Sequence, residues 1–229
     1  MTEVAGGAAG VAVGLAEVRE RIARACREAG RDAREVTLLA VSKTHPVELV
    51  RAAYAAGQRD FGENYVQELV AKADACADLP GLRWHAIGHV QKNKAKDVAR
   101  VAHVVHTVDD ARLAEALHKR VEPGRTLEVL LQVNVAAEPQ KSGCDIAALP
   151  ALVDAVRALG PSIALRGLMT VPPADGDPRP HFARLRGLAR EHGLPALSMG
   201  MSADLEAAIA EGATIVRVGT AIFGARGAR

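Results

Sequence analysis

The sequence has little of several features that mark particular protein classes. Its 229 residues include three cysteines, Cys26, Cys76 and Cys144, too few and too scattered for a disulfide framework or a cysteine-based zinc site. No apolar run approaches the roughly 20 residues that a membrane helix needs. The first ten residues also lack the positive and apolar regions of a secretory signal. We therefore expect a cytoplasmic protein with reduced thiols and no membrane association.

The charge and the aromatic content both argue against nucleic acid as a partner. Lysine and arginine number 29 against 27 acidic residues, a formal net charge of +2, whereas binding to phosphate backbones needs a basic face. One tryptophan, two tyrosines and three phenylalanines offer little surface on which bases can stack. A hydrophobic fraction of 49% with 24% charged residues is instead the balance of a folded globular protein.

Short apolar, β-branched runs alternate with longer amphipathic stretches, which predicts βα units and a parallel sheet. The predicted strands occupy residues 36–42, 59–63, 82–88, 103–107, 127–134, 164–170, 196–200 and 214–218. Eight strands in a chain of 229 residues fit a single (β/α)8 TIM barrel, and an open doubly wound sheet is the alternative. An extra helix over 11–29 precedes the barrel. We expect one domain over 1–229, with 1–10 weakly ordered.

The end of the first strand carries a lysine. Chemistry in such a barrel takes place at the carboxyl ends of the strands, and Lys43 follows the first strand there. Desolvation in an apolar mouth favours the neutral amine, which imine formation with an aldehyde requires. A solvated loop lysine is the alternative that position alone leaves open.

The last two strands end in turns that suit a phosphate. Ser202 and the pair Gly219-Thr220 each lead into a helical segment, and a helix start with a hydroxyl group binds phosphate well; simple N-capping is the alternative. Arg217 lies on the last strand, where an inward arginine needs a pyridine nitrogen, a carboxylate or a structural ion pair. Lysine, phosphate turns and arginine together predict a site for pyridoxal 5′-phosphate. They also fit a class I aldolase acting on a phosphorylated sugar.

The histidines give a weaker signal. His85, His89, His103 and His106 are close in sequence, but they lie on strands and loops without the helical spacing of metal ligands. We interpret most of them as hydrogen-bonded and expect no metal. Met169 ends the sixth strand, where it either lies against a flat ring or fills the core.

Seven blocks of sequence resemble a known family. The blocks are LAVSKT (39–44), FGENYVQE (61–68), WHAIGHVQKNK (84–94), VN with KSG (133–134 and 141–143), GLMTVPP (167–173), LSMGMSAD (197–204) and VRVGTAIFG (216–224). They run in family order over nearly the whole chain. The chain is thereby identified as similar to the pyridoxal phosphate homeostasis proteins, also called the YggS or proline synthetase co-transcribed family.

The resemblance implies a fold-type III barrel, similar to the barrel domain of alanine racemase, that binds pyridoxal 5′-phosphate. It implies that Lys43 holds the cofactor as an aldimine, that Arg217 faces the pyridine nitrogen, and that Ser202 holds the phosphate with the backbone of the last turn. The full set of implied cofactor-binding residues is Lys43, Asn64, Met169, Ser202, Arg217, Gly219 and Thr220.

The resemblance also implies a function. Family members are expected to buffer pyridoxal phosphate and to deliver it to apoenzymes through transient contacts, without established turnover of their own. We expect a monomer without the second domain by which racemases complete their site. The alternative is a racemase-like enzyme that uses the same cofactor on an amino acid.

Overall fold

The computed structural model describes residues 7–225, and within them eight parallel strands close into a barrel in chain order. The strands are Thr37–Val41 (β1), Asp60–Glu63 (β2), Arg83–Ala86 (β3), Val104–Val108 (β4), Leu127–Gln132 (β5), Ile163–Met169 (β6), Ala196–Ser198 (β7) and Ile215–Val218 (β8). Each predicted strand overlaps an observed one. The barrel is confirmed, because the strands pair in chain order and β8 pairs back to β1, whereas a doubly wound sheet stays open with two unpaired edges.

Helices surround this barrel. They are Ala8–Glu28 (α1), Val47–Ala55 (α2), Val66–Ala75 (α3), Ala95–Val101 (α4), Ala111–His118 (α5), Leu149–Arg157 (α6), Arg179–Glu191 (α7), Leu205–Ala210 (α8) and Thr220–Phe223 (α9). Single-turn 3₁₀ helices occupy Ala33–Glu35, Lys92–Lys94 and Ile146–Ala148. In the part of the chain that the structure describes, every helix is too short or too polar to cross a lipid bilayer.

The predicted extra helix precedes the barrel and starts earlier than the sequence suggested. α1 begins at Ala8 instead of residue 11, because its alanine-rich first turn has high helix propensity. Residues 1–6 of the segment expected to be weakly ordered lie outside the described residues. The buried stripe of α1, which includes Leu15, Val18 and Ile22, has the spacing of an amphipathic helix packed on a core.

Five of the eight predicted strands run past the carboxyl ends of the observed ones. Ser42, Gly88 and Gly200 were placed inside strands, yet β1, β3 and β7 end before them. The chain leaves the barrel at these points, although the apolar pattern continues for one or two residues. These overshoots all lie at the same end of the barrel, where parallel strands of a closed sheet bring their loops together.

Candidate functional site

A cavity of about 410 Å³ lies at the carboxyl ends of the strands. All seven of the cofactor-binding residues predicted from the sequence line it, although they come from β1, β2, β6, β7 and β8 or the turns that follow them. Its volume is in the range of small-molecule sites. The structure therefore brings these residues together around one space.

Lys43 reaches the cavity from the turn that follows β1. The register of β1 against β8 pairs Leu39 with Arg217 and Ala40 with Val218, so the two strands end side by side. The residue after the lysine, Thr44, has a φ of 64°, which is uncommon for a β-branched residue. The chain thus turns sharply at the point where Lys43 leaves the barrel wall.

Asn64 follows β2 and carries an unsatisfied polar atom. Its Oδ1 is buried and has no hydrogen-bond partner among the described residues. A buried acceptor without a donor costs about 1–3 kcal/mol. A Cβ at Gly88 would lie 2.0 Å from the backbone oxygen of Asn64, so a glycine is required where the loop after β3 passes this residue. Sequence reasoning missed Gly88, whose only signal was its place in the WHAIGHV block.

The turn after β7 presents Ser202 to the cavity. Gly200 makes this turn with a φ of 92°, and a Cβ there would lie 2.5 Å from the Cβ of Ala208. Arg21 of α1 stabilises this turn, because its Nη2 donates a hydrogen bond to the backbone oxygen of Ser202 at 3.0 Å. The same guanidinium forms a bidentate pair with Glu206, at 2.8 and 2.9 Å. The extra helix therefore supports the predicted phosphate turn.

The turn after β8 lines the same space. α9 begins at Thr220, and the first N–H groups of a helix have no partner within that helix. Gly219 and Thr220 line the cavity together with Ser202. Residues of two turns that carry hydroxyl and backbone N–H groups thus line one space, a combination suited to an anion.

Arg217 is 5% exposed and points from β8 into the barrel. Its Nη1 donates to Ser198 Oγ at 2.7 Å and its Nη2 donates to the backbone oxygen of Thr170 at 2.9 Å. These partners on β7 and after β6 are neutral, unlike the carboxylate of a structural ion pair. Burial lowers the pKa of Arg217 to about 10, with Asp204 acting in the opposite direction, so the side chain stays cationic at neutral pH.

A chain of hydrogen bonds continues from Arg217 through the barrel. Ser198 Oγ lies 2.9 Å from His106 Nδ1, His106 Nε2 lies 2.9 Å from His85 Nδ1, and His85 Nε2 lies 3.0 Å from Asp60 Oδ1. Burial lowers the pKa of His85 and, further, that of His106, so both rings are neutral. Because arginine only donates and an ionised carboxylate only accepts, every proton in this chain points from Arg217 towards Asp60.

The structure also gives the surroundings of the remaining histidines and of Met169. His103 Nδ1 accepts from the backbone N–H of Trp84 at 3.1 Å, so three of the four histidines are hydrogen-bonded as predicted. Among residues 7–225, no group of three or more His, Cys, Asp or Glu side chains is arranged to hold a metal ion. Met169 is 2% exposed and packs inside the barrel, as the core interpretation predicts. It also lines the cavity, so its contact with a flat ring stays a prediction.

Comparison with known proteins first defines the class of the fold. A family profile described as "Alanine racemase, N-terminal domain" matches residues 13–227. Alanine racemase from Corynebacterium glutamicum is similar with a TM-score of 0.65 and 20% identity, over 90% of this chain and 61% of that one. The chain is thus an alanine-racemase-type barrel.

Closer relatives define the family. Pyridoxal phosphate homeostasis protein from Pseudomonas aeruginosa is 52% identical over 94% of this chain and 96% of its own length. The protein of the same name from Escherichia coli K12 is 45% identical over 94% and 97%. PipY of Synechococcus elongatus, in a structure with PLP bound, has a TM-score of 0.78 and 38% identity over 93% of this chain and 100% of that one. The chain belongs to the family of pyridoxal phosphate homeostasis proteins, whose curated relatives are named for homeostasis and not for an enzymatic reaction.

Proposed function

We propose that this chain binds pyridoxal 5′-phosphate covalently through Lys43, buffers it and delivers it to apoenzymes. The observation that carries the proposal is the convergence of an amine, two anion-binding turns and a buried arginine on one cavity. The name of the relatives and the PLP-bound structure of PipY support the choice of ligand. Delivery fits a cytoplasmic monomer that makes transient contacts with recipient enzymes.

The residues around the cavity fit the chemical groups of this cofactor. Its aldehyde condenses with a primary amine and releases water, and Lys43 supplies the amine. The phosphate has donors in Ser202 and in the turn at Gly219 and Thr220, at roughly 1.5–3 kcal/mol for each charged hydrogen bond. The unsatisfied Oδ1 of Asn64 offers an acceptor to a donor on the ligand.

Arg217 favours a carrier over an enzyme. We propose that its guanidinium faces the pyridine nitrogen, while its Nη1 and Nη2 each donate a hydrogen bond to the protein. A cation there disfavours protonation of the ring nitrogen, and an unprotonated ring accepts carbanion charge poorly. The chain has two tyrosines as possible proton donors: Tyr54 donates its hydroxyl to the carbonyl of Pro80, and Tyr65 is 50% exposed.

The covalent link is tested by reducing the loaded protein with borohydride and mapping the label by mass spectrometry. We expect the label on Lys43 and complete loss of the imine absorbance in Lys43→Ala, with an unchanged melting temperature of the protein without cofactor. Lys92→Ala is the matched control, because Lys92 is exposed and pairs with Asp110 at 3.4 Å. A label on any other lysine of the native protein would contradict the assignment.

The carrier role is tested by mixing loaded protein with an apoenzyme that requires pyridoxal phosphate. We expect the recipient to regain activity, and we expect slow exchange of α-hydrogen for deuterium when the loaded protein meets amino acids alone. Rapid exchange with any common amino acid, lost in Lys43→Ala, would replace the carrier role by that of a racemase-like enzyme.

A further inference from the structure

A buried ionic cluster, formed by Glu63, Lys72 and Glu68, lies behind the turn that carries Lys43. Lys72 Nζ is 2.7 Å from Glu63 Oε1 and 3.1 Å from Glu68 Oε2. The side chains of Lys72 and Glu63 are only 8% and 0% exposed. Because burying charged groups carries a large desolvation penalty, such a cluster is a poor way to gain stability alone. The other hydrogen bonds of the cluster show which part of the chain it fixes in place.

All three members of the Glu63–Lys72–Glu68 cluster hydrogen-bond the residues on either side of Lys43. Lys72 Nζ donates to the backbone oxygen of Ser42 at 2.7 Å, and the Ser42 hydroxyl donates to Glu63 Oε1 at 2.6 Å. On the other side, the backbone N–H of Thr44 donates to Glu68 Oε2 at 2.7 Å. The peptide groups before and after the lysine are therefore both fixed to the same cluster.

The contact from Glu68 holds a strained residue. A left-handed backbone is unfavourable for an L-residue, and Thr44 adopts it with a φ of 64°. Such strain persists only where the surroundings determine the geometry. Burial alone would raise the pKa of Glu68, but the N–H of Thr44 and the ammonium of Lys72 bring it below its usual value. Glu68 is thus an ionised acceptor suited to fixing this turn.

We infer that Glu63, Lys72 and Glu68 are positioning residues that aim the Lys43 amine at the aldehyde of its ligand. This inference rests on the proposed function. The imine forms when the Nζ lone pair attacks the aldehyde carbon and the aldehyde oxygen leaves as water, so its rate depends on where Nζ lies. A misplacement of about 1 Å can slow such a step about 100-fold.

Glu68→Ala is the primary test, because the side chain of Glu68 is 27% exposed and we therefore expect the variant to fold. We expect the rate of imine formation, followed by absorbance and borohydride trapping, to fall about 10- to 100-fold. Affinity for pyridoxamine 5′-phosphate, which has no aldehyde, is expected to stay within about threefold, a change of under 1 kcal/mol. Glu68→Gln keeps an oxygen that can accept from the Thr44 N–H, so it should recover most of the rate.

Asp74→Asn is the matched control on the same helix, α3, since Asp74 pairs with Arg100 at 2.7 Å in an exposed position. Lys72→Met is a second variant, which removes the hydrogen bond to the Ser42 oxygen. Its melting temperature shows whether it folds, and its affinity for pyridoxamine phosphate shows whether the binding site is intact, so a slower imine formation can be assigned to lost positioning. The inference is overturned if Glu68→Ala and folded Lys72→Met form the imine at the wild-type rate, or if binding of pyridoxamine phosphate falls as much as the rate. A label on another lysine in the wild type would instead overturn the proposed function.

Discussion

The two ends of the barrel carry cavities of nearly equal size, about 400 Å³ at the amino ends of the strands and about 410 Å³ at the carboxyl ends. At the amino end, the charged residues pair with one another: Arg83 lies 2.7 Å from Glu128 and 3.4 Å from Asp60, and Arg166 lies 2.9 Å from Glu128. Each carboxylate there has at least one partner, and the cavity offers a ligand little unsatisfied hydrogen-bonding capacity.

The carboxyl end differs in what is left unsatisfied. Thr44 Oγ1 and Asn64 Oδ1 are buried without partners among the described residues, and Thr44 holds a strained backbone. The turns at Ser202 and Thr220 also face the cavity. Volume alone would rank the two ends as equals. Unsatisfied polar groups and backbone strain support the proposal that the carboxyl end is the binding site, since both are typical of functional positions.

The largest expected difference between the ends comes from removing one arginine at each. Arg217→Met leaves Ser198 Oγ and the oxygen of Thr170 without their donor, at about 1–3 kcal/mol for each buried group left unsatisfied. It also removes the group that we propose faces the ligand ring. In Arg83→Met, Asp60 keeps His85 and Glu128 keeps Arg166, so we expect a loss of about 1 kcal/mol or less.

Urea unfolding of the protein without cofactor measures the stability losses of these two arginine variants, and cofactor titration measures binding. We expect weaker binding only in Arg217→Met. Equal losses of stability and of affinity in both variants would remove the distinction between the two ends.

Local pattern in the sequence predicts the barrel and the candidate residues at the strand ends, whereas the family resemblance alone supplies Asn64. Strand periodicity and the residue at each strand end are read within a few positions, and the barrel fold then brings those ends together. The supporting contacts are missed because they join distant positions: Arg21 and Ser202 are 181 residues apart, and His106 and Ser198 are 92 apart. Glu63, Lys72 and Glu68 are close in sequence, but Glu63 ends β2 and the other two have the i,i+4 spacing of an ordinary solvated helix face on α3. Only packing shows that they lie behind Lys43.

A smaller effect is expected from removing one hydroxyl at each end. Ser202→Ala removes one predicted donor to the phosphate, so affinity for pyridoxal 5′-phosphate should fall about 10- to 100-fold, the equivalent of one charged hydrogen bond. Affinity for pyridoxal without its phosphate should not change. Ser162→Ala is the matched control at the amino end. Ser162 lies just before β6, and its hydroxyl forms a hydrogen bond with His118 Nδ1 at 2.6 Å. Equilibrium dialysis of both ligands checks the comparison, and similar losses for both ligands would exclude Ser202 as a phosphate donor.

The smallest expected effect is on the pH dependence of stability, and it arises near the amino end. Burial, with Arg125 and Arg83 nearby, lowers the pKa of His103 from 6.5 to about 4. As pH falls from 6.5 towards 4, the unfolded chain binds a proton that folded His103 does not, so the free energy of unfolding decreases. The slope for one group is at most about 1.4 kcal/mol per pH unit, and less here because His103 is only partly buried.

His85 and His106 act in the same direction as His103, because their pKa values are also lowered. His103→Gln keeps an acceptor for the N–H of Trp84 and removes one titrating group, so the decline in melting temperature between pH 6.5 and 4 should become shallower. His181→Gln is the control, since His181 lies on α7, away from this end of the barrel. If the melting temperature of His103→Gln declines as steeply as that of the wild type, the pKa of His103 is not lowered by folding. The acid sensitivity would then come from His85 and His106.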